Sequence, residues 1–189
     1  MKSNYPNIKL YSATILFFIS IFLFIAFNSY WESGFSDQSE IIGEVKNFEN
    51  TKNRLGGIGA LISEFFIGLF GVSSYLFISF TLILSIKLLF NSKNISYVST
   101  FNQHVFFIIW LPLLLSNIDI QIAGAIALFL SINMKILVGH VGIILLLILS
   151  LFLFIIIKFN INQVKIFNTL NLIRQFYKLK TKEPLTIKI

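Results

Sequence analysis

The sequence predicts an all-α polytopic membrane protein with four transmembrane helices and short interfacial helices. Three observations carry this. Hydrophobic residues make up 56% of the chain and charged residues only 12%, about half the charged share of a soluble domain. Apolar runs recur near the roughly 20 residues that cross a ~30 Å hydrocarbon core as a helix. Most of the 22 phenylalanines fall inside those runs, where lipid is the only solvent that accommodates them.

The first span is read over residues 11–28 (YSATILFFISIFLFIAFN), which carry no charge. Tyr30 and Trp31 follow, as expected of rings at the headgroup level. The apolar stretch exceeds a signal-peptide core and no small-x-small cleavage site follows, so a retained anchor is expected. Residues 32–55 read as a polar segment holding Glu32, Asp37, Glu40, Glu44 and Glu49 with Lys46, Lys52 and Arg54. The next apolar stretch, 56–90, is too long for one simple crossing. It divides into a shallow amphipathic helix near 57–70 and a span over 71–89, or else forms one long tilted helix. A short loop edged by Lys87 and Lys93 leads to a third span over 101–116, where Pro112 introduces a kink that neighbouring helices can accommodate. Residues 120–132 (IQIAGAIALFLSI) are below spanning length and read as an interfacial or re-entrant helix. The fourth span is 142–157, closed by Lys158.

The chain thus divides into a membrane domain over 1–158 and a basic juxtamembrane tail over 159–189. In the tail, Ile166, Leu170, Ile173 and Tyr177 recur at helical spacing among Lys and Arg. A basic amphipathic helix beside a membrane lies on anionic lipid, so lipid is preferred over DNA phosphate as its contact. Lys and Arg also orient the spans. Lys2, Lys9, Lys87, Lys93, Lys158, Lys165, Arg174, Lys178, Lys180, Lys182 and Lys188 fall on one side. Lys46, Lys52, Arg54 and Lys135 fall on the other. Both termini are therefore expected in the cytoplasm.

Chemistry is sparse. The chain has no cysteine, which removes disulfides and thiolate metal sites. No G-x-x-x-x-G-K-[ST] string occurs, so the glycines of NRLGGIGALISEFFIGLFG (53–71) do not form a nucleotide loop. No catalytic group, cofactor or metal site is expected; His104 and His140 lack partners at ligand spacing. Glu64 reads as part of the polar face of an interfacial helix rather than a proton-coupling acid. Gly56, Ala60, Ser63, Gly71 and Ser74 fit one helix face, with Gly68 beside it, and small residues of this kind let helices approach closely in lipid.

Packing leaves the order of the motifs unexplained. Asp37-Gln38-Ser39 follows the first span. Asn53, Gly56, Gly59 and Ala60 form N-x-x-G-x-x-G-A, then come Phe70-Gly71, and Gly139 and Gly142 precede the last span. This order, over about residues 10–158, resembles the N-terminal four-transmembrane domain of FtsK/SpoIIIE DNA translocases. The chain departs from the pattern after Tyr75, where relatives often carry a proline and Phe77, Ile78 and Ser79 stand instead. The resemblance implies a membrane anchor in the bacterial inner membrane at the division septum, serving cell division and chromosome segregation. It also implies a homo-oligomer that meets division-site proteins, and DNA only through a RecA-like ATPase motor separate or missing from these residues. By itself the chain is expected not to be an enzyme. The competing readings are a small transport or pore subunit using Glu64, and an envelope scaffold subunit.

Overall fold

The computed structural model describes residues 6–42, 48–93 and 95–161. It is built from helices α1 (Pro6–Ile42), α2 (Gly56–Phe70), α3 (Tyr75–Phe90), α4 (Tyr97–Leu115) and α5 (Ala125–Phe159), and the described residues include no strand. Four stretches are long and apolar enough to cross a membrane: Ile8–Ile42, Gly56–Phe90, Tyr97–Leu115 and Ala125–Phe159. The protein is a multi-pass membrane protein.

The first helix differs from the sequence reading. Residues 32–42 continue α1 instead of opening a polar loop, giving a rod of about 55 Å at ~1.5 Å per residue, well beyond the hydrocarbon thickness. The extension holds because its polar side chains are partnered within the fold. Ser33, Ser36 and Ser39 return their hydroxyls to carbonyls one turn back, and Asp37 is occupied by another segment. The buried side of α1 has a seven-residue rhythm, with Ala13, Ser20, Phe27, Gly34 and Ile41 at one register and Leu23 and Asp37 at another. A repeat of seven keeps one seam of a helix facing neighbours that wind gently around it.

That seam meets both α2 and α3. Leu23, Ala26, Phe27, Ile67 and Ile78 form the apolar centre. Phe27 lies 5.8 Å, centroid to centroid, from both Phe66 and Tyr75, and such aromatic pairs contribute about 0.5–1.5 kcal/mol each beyond area burial. Nearer the N-terminus of α1, small polar residues take over. Ser85 Oγ donates to the Ala13 carbonyl at 2.8 Å, and the Ser20 and Thr81 hydroxyls meet at 2.8 Å. Interhelical hydrogen bonds of this kind average about 0.6 kcal/mol in lipid.

Between α2 and α3 the helix breaks at a tight turn over Gly71–Ser74, so the stretch 56–90 is two segments. Asn91, in the left-handed region at φ 45°, closes α3. Lys87 then reaches the Ile95 carbonyl and lies 3.2 Å from the centre of the Tyr97 ring. Ser96 caps α4, accepting from Ser99 N. His104 joins α4 to α3 through Ser79 at 3.0 Å, with its other ring nitrogen 2.7 Å from the Thr100 carbonyl. Pro112 stands inside α4 but only three residues before its end, so the loss of one donor falls in the last turn.

The short helix read over 120–132 begins later. Asp119 Oδ1 accepts Gln121 N in a local turn, Gly124 takes φ 80°, and helix starts at Ala125. It runs to Phe159 with one break, at Gly139 (φ 73°, ψ 171°). The chain has two compact units, 1–140 and 141–189. The second unit carries the helix from Val141 to Phe159, with exposed Leu145, Ile148, Phe152 and Ile157. The amphipathic reading of the tail falls outside the described residues.

Candidate functional site

Residues 52–54 bond to α1, and the groups that hold them there form the most organised polar cluster among the described residues. Asp37 is only 2% exposed, and a buried carboxylate is stable only when its oxygens are bonded. One oxygen accepts Lys52 N at 2.6 Å and the other lies 2.9 Å from Ser33 Oγ. Ser29 Oγ accepts Arg54 N at 3.0 Å. These bonds satisfy backbone donors that a bare loop would leave unpaired in an apolar setting.

Between them stands Asn53, 5% exposed, which uses both ends of its amide. Nδ2 donates to the Ala26 carbonyl at 3.1 Å and approaches Ser63 Oγ at 3.4 Å, while Oδ1 accepts Leu55 N at 3.1 Å. The side chain therefore ties α1, the start of α2 and the middle of α2 together. It lies directly over Gly59, where an added Cβ would collide with Asn53 Oδ1 and stand 2.6 Å from Leu55 Cβ. Ala60 and Ser63 are buried on the same side of α2, with Ser63 Oγ also donating to the Ala60 carbonyl. Of the N-x-x-G-x-x-G-A residues, Asn53, Gly59 and Ala60 thus meet at one place. Gly56 stands apart from the Asn53 side chain: it is exposed, its N–H donates to the Asn53 carbonyl at 2.7 Å, and its φ of 63° marks the entry to α2.

A second junction lies at the other end of α2. Gly71 (φ 58°) and Gly124 (φ 80°) face each other. A Cβ on Gly71 would strike the Ile122 carbonyl and stand 2.6 Å from the Ala123 carbonyl carbon; one on Gly124 would strike Gly71 N and stand 2.6 Å from the Leu69 oxygen. Val72 N donates to the Ile122 carbonyl at 3.0 Å across this contact. Only glycine supplies both the positive φ and the missing side chain. Phe70, half-buried, packs its ring 5.3 Å from Phe77.

Gln38 and Glu64 connect the extension of α1 to α2: Gln38 Nε2 donates to Glu64 Oε1 at 2.9 Å, and Tyr30 is a near neighbour. The second oxygen of Glu64 is buried without a hydrogen-bond partner. Arg54 and Glu32 form a two-pronged ion pair at 2.9 and 3.0 Å. Both side chains are more than 60% exposed, which limits its contribution to about 1 kcal/mol or less. Ser39 is exposed and bonds only within its own helix, to Ser36. Gly139 is exposed with open space about it and breaks α5; Gly142, in the second unit, is half-buried.

Ser29 and Ser33 in the cluster, and Gly124 at the second junction, did not stand out in the sequence. The signal for the serines lay in α1, where Ser29 and Ser33 precede Asp37 at four-residue steps along one helix face. Gly124 had no such signal, because its role depends on meeting Gly71.

Among the described residues no three His, Asp or Glu side chains gather as metal ligands would. The arrangement is chemically a clamp: it fixes backbone segments against α1. The family model described as the 4TM region of DNA translocase FtsK/SpoIIIE matches residues 9–171. No curated protein and no solved structure matches the chain.

Proposed function

Because the chain belongs to the family of the 4TM region of DNA translocase FtsK/SpoIIIE, we propose that it is the membrane anchor of an FtsK-like DNA translocase working in cell division and chromosome segregation. The family match over residues 9–171 carries this reading, since it takes in α2 to α5 whole and α1 from Lys9 on. The clamp at Asp37, Asn53 and Gly59 and the Gly71–Gly124 junction support it from physical grounds. An anchor must transmit force without unpacking: the clamp locks α2 and the preceding segment to α1, and the glycine junction locks the end of α2 to the loop before α5, by contacts a sliding helix would lose. The ATPase motor and its DNA contacts belong to another segment or partner, and this chain supplies membrane attachment and homo-oligomeric assembly at the septum. The Lys/Arg asymmetry supports a motor side that, with both termini, faces the cytoplasm of a bacterial inner membrane.

Localisation tests the reading in cells that encode the protein. A fluorescent copy should gather at the constriction, and depletion should leave filaments or septa closing over unsegregated DNA. Uniform membrane fluorescence together with normal division after depletion would overturn the assignment to division and segregation.

A further inference from the structure

Helix α2 turns its polarity inside out. Ile58, Leu61 and Phe65 recur at helical spacing and are 67%, 43% and 58% exposed. Its only polar side chains, Ser63 and Glu64, are bonded instead toward α1 and its extension, through Asn53 and Gln38. In water this arrangement is unfavourable on both faces; against acyl chains it is the stable one. The length of the neighbouring segment removes any need for α2 to cross the bilayer. The tight turn Gly71–Ser74 and α3 together reach about 32 Å, taking ~2.0 Å per residue in the turn and ~1.5 Å in the helix, which matches the ~30 Å hydrocarbon core. Contacts also give α2 a level. Phe66 packs on Phe27, Glu64 neighbours Tyr30, and the segment entering α2 carries Arg54, paired to Glu32. Tyr30, Trp31 and that exposed ion pair are residues of a headgroup boundary.

We propose that α2 lies in the interfacial layer of the bilayer, with Ile58, Leu61 and Phe65 dipped among lipid acyl chains. The occupant of this face is lipid. The face carries no charge, and the one acid of α2 is drawn to Gln38 on the polar extension of α1. The inference rests on the membrane fold and is independent of any role at the septum.

The absence of native cysteine makes the test direct. Single cysteines at Ile58, Leu61 and Phe65 carry nitroxide labels in the full chain, reconstituted in phosphatidylethanolamine–phosphatidylglycerol vesicles. Labels at Ser39 and Phe18 serve as the aqueous and mid-bilayer references. At the three α2 positions, oxygen collisions should exceed those of a water-soluble nickel complex severalfold, at a depth between the two references. Nickel accessibility equal to that at Ser39 would place the face in water and overturn the proposal. So would low accessibility to both quenchers, which means protein covers the face, and so would a depth equal to Phe18, which means α2 is part of a crossing helix. The unmodified chain gives a second reading that no label can perturb. A lipid-soluble carbene precursor should modify the peptide containing Ile58–Phe65, and absence of adducts there would also overturn the proposal.

Discussion

Gly71 and Gly124 illustrate how much a single missing Cβ can decide. Each has positive φ, and each would drive a Cβ into the backbone of the other's loop. Backbone cannot rotate away as a side chain can, so relief requires moving the start of α5 or the end of α2. Gly71→Ala and Gly124→Ala should each destabilise the protein by about 1–3 kcal/mol or more, the range for overpacking combined with unfavourable φ. Gly68 is the control. A Cβ there meets only the Glu64 carboxyl group, Oε1 at 3.4 Å and Cδ at 3.9 Å, the end of a side chain, and Gly68→Ala should stay within about 0.5 kcal/mol, as most substitutions without such a clash do. Thermal unfolding in detergent, followed by size-exclusion fluorescence, orders the three. A Gly68 variant less stable than the Gly71 variant would refute the account. The clash of Gly71 is within the chain, so its substitution acts on folding first and on self-association only through it.

At the scale of elements, the length of α1 is the main finding. A polar sequence after an apolar span reads naturally as a loop, yet Glu32–Ile42 stays helical because its serines bond within the helix and Asp37 and Gln38 are engaged from outside it. The helical extension brings Gln38 and Glu64 together although they are 26 residues apart. Cysteines placed at both positions should therefore be bridged rapidly by a short bismaleimide, while a pair at Ser39 and Glu64 should react more slowly, since Ser39 bonds only within α1. Equal rates for the two pairs would show that residues 32–42 lack this fixed register.

For the whole molecule the testable quantity is orientation. The positive-inside expectation assigns eleven Lys and Arg to one side and four to the other, from which Ser39 is expected outside and Ser92 inside. An impermeant thiol reagent applied to intact cells should label a cysteine at Ser39 and spare one at Ser92 until the membrane is opened. Labelling confined to Ser92 would invert the topology, and equal labelling would contradict a single orientation.

The all-α membrane class was legible because it depends on composition summed over some twenty residues, and lipid imposes that requirement whatever the neighbours are. The family was legible from the order of short motifs. What those motifs do was not. Asn53 and Gly59 are six residues apart along the chain, and only the fold shows the amide lying over the glycine. Gly71 and Gly124 are 53 residues apart, and neither predicts the other. The continuation of α1 past Trp31 was hidden for the same reason: local polarity favours a loop, and the groups that overrule it, Lys52 N and Glu64, arrive from distant parts of the chain. The sequence by itself determined which segments are apolar enough for lipid. Tertiary structure decided which polar groups and glycines meet, because a hydrogen bond or a close backbone approach is a property of two segments, and hydropathy describes one at a time.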